Sequence, residues 1–173
     1  MEQDSALVKR AQSGDTAAFG ELYSLYWQQL YKFALYNLSN SEDAKDAVQD
    51  AALSVYRNIG NIRDEDYFKT YIFRAVANNC KSIYRRRKRA NLQPIDDFSN
   101  TLHEGGDEQR KRAFEIYSAL DTLNENERLI ITLTAVCGYK SGEIAKILHK
   151  PAGTVRSTLK RAIDKLDRDS LLD

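Results

Sequence analysis

Apolar side chains return at three- and four-residue steps along most of this chain, and no strictly alternating run extends beyond a few residues. That period belongs to the α-helix, so the pattern predicts an all-helical protein. Only 8 glycines and 2 prolines punctuate the 173 residues. A first helix is expected over Ser5–Ser13, with Gly14 in a left-handed end and Asp15 capping the next helix. In that second helix, TAAFGELYSLYWQQLYKFALYNL, the residues Phe19, Leu22, Tyr26, Leu30 and Phe33 share one face and are read as core. SNSED breaks the pattern. Ser41 is expected to cap a third helix, with Glu42 and Asp43 in the first turn, where the helix dipole favours acids. It should end between Asn58 and Gly60. After the polar NIRDED, a fourth helix is expected from near Glu65 through RRRKR.

Residues Asn91 to Asp107, NLQPIDDFSNTLHEGGD, differ in kind. A Pro, a Gly pair and few apolar positions read as a linker. Three helices are expected beyond it, over roughly 108–121, 125–137 and 142–148, and then a final basic one. Asn124 and Glu127 have capping-box spacing, and Gly138 can stop the helix they start. The expected architecture is all-α: two small helical domains joined by a flexible linker, over residues 1–90, 91–112 and 113–173.

The last two helices carry the first chemical signal. In SGEIAKILH, the residues Ile144, Ala145 and Leu148 form an inner face. In HKPAGTVRSTLKRAIDKL, Val155, Leu159, Ala162 and Leu166 lie on one stripe, while Arg156, Ser157 and Lys160 point the other way and Arg161 sits at the edge. Pro151 suits a helix start, and Ala152 and Gly153 leave room for close approach. Two short helices joined tightly, the second basic outside, fit a helix-turn-helix whose second helix reads a duplex in the major groove. An ordinary helical hairpin with a solvated basic face fits the same pattern.

Helix four carries a second signal. Tyr67, Tyr71, Arg74, Asn78, Lys81 and Arg85 fall within about 40° of one line, away from Phe68, Ile72, Val76 and Ile83. Aromatic groups offer stacking surface to unpaired bases and cations hold backbone phosphate. A solvated face of snorkelling Tyr and Arg fits the same pattern. The run Arg85 to Arg89 is either a phosphate patch or a helix end favoured by the dipole.

Composition narrows the classes. The net charge of +1 means that any nucleic-acid signal is local. Cys80 and Cys137 have no partner at metal-ligand spacing and read as free packing thiols in a reducing compartment. His103 and His149 lie in no acid–base constellation. No metal, cofactor or enzymatic activity is expected. No signal peptide and no span of about 18 apolar residues is present, so a soluble cytoplasmic protein without direct membrane insertion is expected.

The stretch LDTLNENERLIITLTAVCGYKSGEIAKILHKPAGTVRSTLKRAIDKL resembles the C-terminal domain of bacterial sigma factors, the promoter-recognition subunits of RNA polymerase. Its helix-turn-helix implies contact with a minus-thirty-five element through Thr154, Arg156, Ser157, Thr158, Lys160 and Arg161. Gly142 and Thr158 depart from the residues usual there. SEDAKDAVQDAALSVYRNI is similar to the polymerase-binding helix, with Asp46, Gln49 and Asp50 matching and Ala52 where Phe is usual. FKTYIFRAVANNCKSIYRRRKR resembles the helix that opens the minus-ten element. By that resemblance Asn61, Ile62, Arg63 and Asp64 would cradle a flipped base, and Tyr67, Tyr71, Arg74, Asn78, Lys81 and Arg85 would hold the single strand. A chain this short resembles the extracytoplasmic-function (ECF) subgroup. The resemblance implies as partners core RNA polymerase, promoter DNA and an anti-sigma factor, often membrane-anchored. A stand-alone helix-turn-helix regulator and a helical adaptor without DNA are the competing readings.

Overall fold

A computed structural model of the chain describes residues 2–64, 67–90 and 107–170. The described residues form eight α-helices: α1 (Glu2–Gln12), α2 (Thr16–Leu38), α3 (Ser41–Arg57), α4 (Phe68–Arg89), α5 (Asp107–Asp121), α6 (Glu125–Ala135), α7 (Ser141–Leu148) and α8 (Ala152–Ser170). A single 3-10 turn, Ile59–Asn61, follows α3. No described helix is long and apolar enough to cross a membrane.

The expected boundaries hold where a cap fixes them. Gly14 has φ +93, and Asp15 accepts a hydrogen bond from the Ala18 N–H at 3.1 Å. Asn124 accepts from the N–H groups of Asn126 and Glu127, and Glu127 answers with a bond from the Asn124 N–H, all at 3.0 Å. Asn40, not Ser41, caps α3: its extended backbone lets the side chain accept from the Asp43 N–H at 2.9 Å. Helix α4 begins at Phe68, and Glu65 lies outside the described residues. So do residues 91–106 of the 91–112 linker expectation, while 107–112 belong to α5.

Helices α1 to α4 form one bundle. Leu22, Leu30 and Phe33 are fully buried, while Phe19 and Tyr26 pack at the core's margin. Gln12 ties α1 to the segment after α3, donating to the Ile59 and Ile62 carbonyls at 3.1 and 2.8 Å. Helices α5 to α8 form the second half, where Leu129, Ile130, Leu133, Ile144, Ile147 and Val155 are buried. The halves touch. Phe73 meets Tyr139 edge-on at 5.2 Å, Tyr36 stacks on Tyr117 at 5.4 Å, and the apolar core runs from one half into the other.

A polar network reinforces this junction. Asn37 donates to the Thr132 hydroxyl at 2.9 Å, and Arg128 donates to the Asn37 carbonyl at 3.2 Å. Gln29 donates to the Cys137 carbonyl at 3.1 Å. Buried polar groups are costly unless paired, so these bonds select one docking register for the halves.

Candidate nucleic-acid interface

Helix α4 is anchored along one side by Phe68, Ile72, Phe73, Val76, Ala77, Cys80 and Ile83, all buried. Asn79 fastens it to α3 through the Ala47 carbonyl at 3.0 Å. Four cations, Arg86 to Arg89, fill its last turn, where the dipole is negative. One of them is committed to the fold. Arg87 donates to the Leu38 carbonyl at the end of α2 at 3.0 Å and pairs with Asp43. The basic run is therefore not one free phosphate patch; Arg86, Lys88 and Arg89 remain exposed.

The sequence-predicted stripe exists as a line on α4, and much of that line faces the second half. Tyr67 is 45% exposed, and Asn78 is exposed. Tyr71, Arg74 and Lys81 are half-buried. Arg74 donates to the Lys146 carbonyl at 2.6 Å and the Ile147 carbonyl at 3.1 Å, both at the end of α7. Arg85 makes a two-pronged pair with Glu125 at 3.1 and 3.2 Å. Burial lowers the pKa of Arg74, with Tyr71 acting in the opposite sense. Burial likewise lowers that of Lys81; Glu125 opposes the shift, while Lys150 and Arg85 add to it.

Of the preceding loop, Asn61, Arg63 and Asp64 are exposed. Ile62 is a correction to the reading of a base cradle. Only 8% of it is exposed, because it packs into the first half's core while its carbonyl receives Gln12. An apolar side chain so placed holds the loop and has no open surface for a base.

The helix-turn-helix is formed by α7 and α8. Ile144, Ile147 and Leu148 are the buried residues of α7, and Ala145 is only partly covered. The turn depends on His149, which adopts a left-handed backbone with φ 51 while its N–H bonds to the Ala145 carbonyl. Gly153 was expected to permit close helix approach. A Cβ there would meet only the Arg156 guanidinium at 4.0 Å, so the space does not require glycine.

On α8, Val155 and Ala162 are fully buried. Thr154, Arg156, Ser157, Lys160 and Arg161 are exposed together. Thr158 is not among them. It is 6% exposed, and its hydroxyl accepts from Arg161 at 3.1 Å. It lies only about 60° from Val155 on the helix wheel, close enough to be drawn inward. Lys165 locks the far end of α8 to α6 through Glu127 at 2.7 Å. Burial pushes the Glu127 carboxyl up, but the bonds from Lys165 and the Asn124 N–H prevail and hold it below its usual range.

The third candidate surface is the outer face of α3. Ala44, Ala47, Val48, Ala51 and Val55 turn inward, leaving Asp46, Gln49 and Asp50 exposed. Ala52 lies at the margin of burial with 9% exposed. Leu53, 53% exposed, extends this face by one turn, and Leu25, 55% exposed, lines a groove beside Gln49 with Tyr23 and Trp27. Sequence reasoning passed over Leu25 and Leu53. Their signal was available: both are apolar yet out of step with the core period of their helices. It also passed over Arg128, Asn37 and Thr132, which periodicity marks only as generic positions.

Comparison with known proteins bears on all three surfaces. The family model for Sigma-70 region 2 matches residues 22–90, and that for Sigma-70, region 4 matches residues 113–166. The chain is 31% identical over 165 residues to the ECF RNA polymerase sigma factor SigM of Mycobacterium tuberculosis, covering 95% of this chain and 83% of that one. Among solved structures, CnrH in complex with the cytosolic domain of CnrY overlays with a TM-score of 0.78 at 27% identity, covering 99% of both chains. The sigma factor RpoE of Bartonella quintana, solved with the anti-sigma factor NepR, shares the fold with a TM-score of 0.70 at 22% identity, over 90% of this chain and 98% of that one.

Proposed function

The chain belongs to the ECF sigma factors of RNA polymerase, a family of transcription initiation factors, and on that premise we propose that it binds core RNA polymerase and directs it to a particular class of promoters. Residues 1–90 dock on the polymerase and capture the minus-ten element. Residues 91–112 connect, and residues 113–173 read the minus-thirty-five element as a duplex.

Docking falls to Asp46, Gln49 and Asp50, supported by their shared exposure on α3. Duplex reading falls to Thr154, Arg156, Ser157, Lys160 and Arg161, with Thr158 bracing Arg161 from within. An Arg can pair bidentately with guanine, and Ser or Thr can bond bases or phosphate. Tyr67, Tyr71, Arg74, Asn78, Lys81 and Arg85, with Asn61, Arg63 and Asp64, take unpaired bases of the minus-ten element. Unstacking a base costs a few kcal/mol, and stacking on an aromatic side chain returns about 1–3 kcal/mol per base. One or two captured bases thus offset the opening. Bond formation belongs to the polymerase. An anti-sigma factor controls the chain, a reading supported by the similarity to CnrH, which was solved with the cytosolic domain of CnrY.

The observation that carries this reading is the exposed Arg156–Lys160 face of a helix whose opposite face is locked by Val155, Ala162 and the Lys165–Glu127 bond. Run-off transcription with core polymerase and a promoter library tests it. Defined start sites are expected, and Arg156→Ala should cost about 1–3 kcal/mol at one upstream base pair. Initiation without any preferred start would overturn the proposal.

A further inference from the structure

A cavity of about 480 Å³ lies where the two halves meet. Small-molecule sites span roughly 300–1,000 Å³ and favour such boundaries. The start of α4 lines it through Tyr67, Phe68, Lys69 and Thr70, and Tyr139, Glu143 and Lys146 come from the second half. A helix N-terminus carries partial positive charge, which a polar cap and first-turn acids ordinarily balance. On α4, Tyr67 holds the capping position without a side-chain bond, and no acidic residue lies in the first turn. Lys69 and Lys146 add two ammonium groups, and among the described residues neither pairs with a carboxylate.

Tyr139 adds an independent sign. It is 7% exposed, and its hydroxyl is buried without a hydrogen-bond partner. Burial raises the pKa of that hydroxyl, as do Cys137, Tyr26 and Glu143 in smaller measure, so it lies within reach of two groups that line the cavity. A buried donor left unpaired is costly, and an incoming acceptor would relieve it. Aromatic surface surrounds these groups. The Lys69 ammonium lies 4.8 Å from the Tyr139 ring centre and 6.0 Å from that of Tyr26, and the Lys146 ammonium lies 5.5 Å from that of Tyr67. Rings beside cations suit a ligand with a ring and a negative charge of its own. Three carboxylates restrict that charge. Asp4 accepts from the Tyr26 hydroxyl, Glu143 accepts from the Lys140 N–H at 2.8 Å, and Asp64 is exposed. These acids disfavour a polyanion and suit a base that carries N–H donors.

We propose that this cavity binds a free purine nucleoside monophosphate. The phosphate is held at the start of α4 by Lys69, Lys146 and the Tyr139 hydroxyl, and the base lies against the tyrosine rings. Because both halves line the site, the nucleotide stabilises the arrangement in which they touch. A DNA strand taken by α4 alone would need nothing from Tyr139 or Lys146.

Isothermal titration calorimetry on the full chain tests this with adenosine and guanosine 5′-monophosphates, adenosine, inorganic phosphate and a thymidylate oligonucleotide of about 16 nucleotides. At least one monophosphate should bind about tenfold or more tighter than adenosine or phosphate. Phosphate binding as tightly as the nucleotides would mean an adventitious ion only and overturn the proposal, as would no nucleotide binding. Tyr139→Phe removes an unpaired hydroxyl, so the ligand-free thermal midpoint should hold or rise while nucleotide affinity falls about tenfold. Lys146→Met should weaken the nucleotide about two- to fivefold. If neither variant weakens it, the second half takes no part and the site between the halves is refuted. If the oligonucleotide displaces the nucleotide and loses affinity equally in both variants, the cavity serves a DNA strand and the proposal of a free nucleotide fails.

Discussion

Truncating Arg128 to alanine should destabilise the chain by about 2–3 kcal/mol. Its side chain is 6% exposed and does three things. One guanidinium nitrogen donates to the Asn37 carbonyl across the junction of the halves at 3.2 Å, and another pairs with Asp121 at 2.6 Å. The cation also lies 5.8 Å from the Tyr84 ring. A hydrogen bond involving a charged group contributes about 1.5–3 kcal/mol, and leaving the buried Asn37 carbonyl unpaired forfeits it. Asp121 is 46% exposed and rehydrates, so its part is under about 1 kcal/mol. Burial of the cation opposes these gains and keeps the total near the low end for a broken buried pair. Two to three kcal/mol is a factor of about 30 to 150 in the folding equilibrium. Urea unfolding followed by far-ultraviolet circular dichroism would measure it. Arg128→Met keeps the volume but neither the charge nor the donors, and should recover less than half the loss. If Arg128→Met matches the unaltered chain, packing alone holds this position and the cross-junction bond is immaterial.

Other outcomes follow from the same geometry. His149→Val should cost about 1–2 kcal/mol in thermal or urea melts while His149→Gly costs nothing, since only the former strains a left-handed turn. Asn124→Ala, which removes the α6 cap, should cost about 1 kcal/mol by the same melts. Glu127 is held below its usual value of 4.5, so its contribution is fully present above that pH and is lost as pH falls through the lower folded-state value. The urea midpoint should therefore drop as pH falls below 4.5, and Glu127→Gln should flatten that drop. Asp46→Lys with Gln49→Ala should weaken capture of core polymerase while shifting stability by under about 0.5 kcal/mol, because both residues are exposed; equal capture would remove α3 as the docking helix.

Reading the sequence located every described helix to within a few residues because each boundary is written locally: Gly14 and Asp15, Asn124 and Glu127, Gly138. It placed the outward face of α8 by period alone. It erred where two faces meet. Thr158 stands at the margin of the core stripe and Ile62 in a loop, yet both are buried. On α7 Ile147 is buried, while Ala145 is only partly covered. The junction itself was illegible. Asn37 and Thr132 are ordinary helix residues until 95 positions of chain fold them to 2.9 Å. A left-handed His149 is equally silent, since only a few per cent of non-glycine residues take a positive φ.

The bond from Arg87 to the end of α2 has a consequence for spacing. By riveting the last turn of α4 to Leu38 and Asp43, it fixes where the chain leaves the first half, at Ala90. From there to Asp107, where α5 begins, the polypeptide cannot stretch beyond roughly 60 Å at about 3.5 Å per residue. Stacked bases advance about 3.4 Å each, so that tether matches some 17 of them. If each half grips its own promoter element, as proposed above, the protein thereby carries a built-in ruler: elements farther apart than this leash plus the widths of the halves are out of its reach.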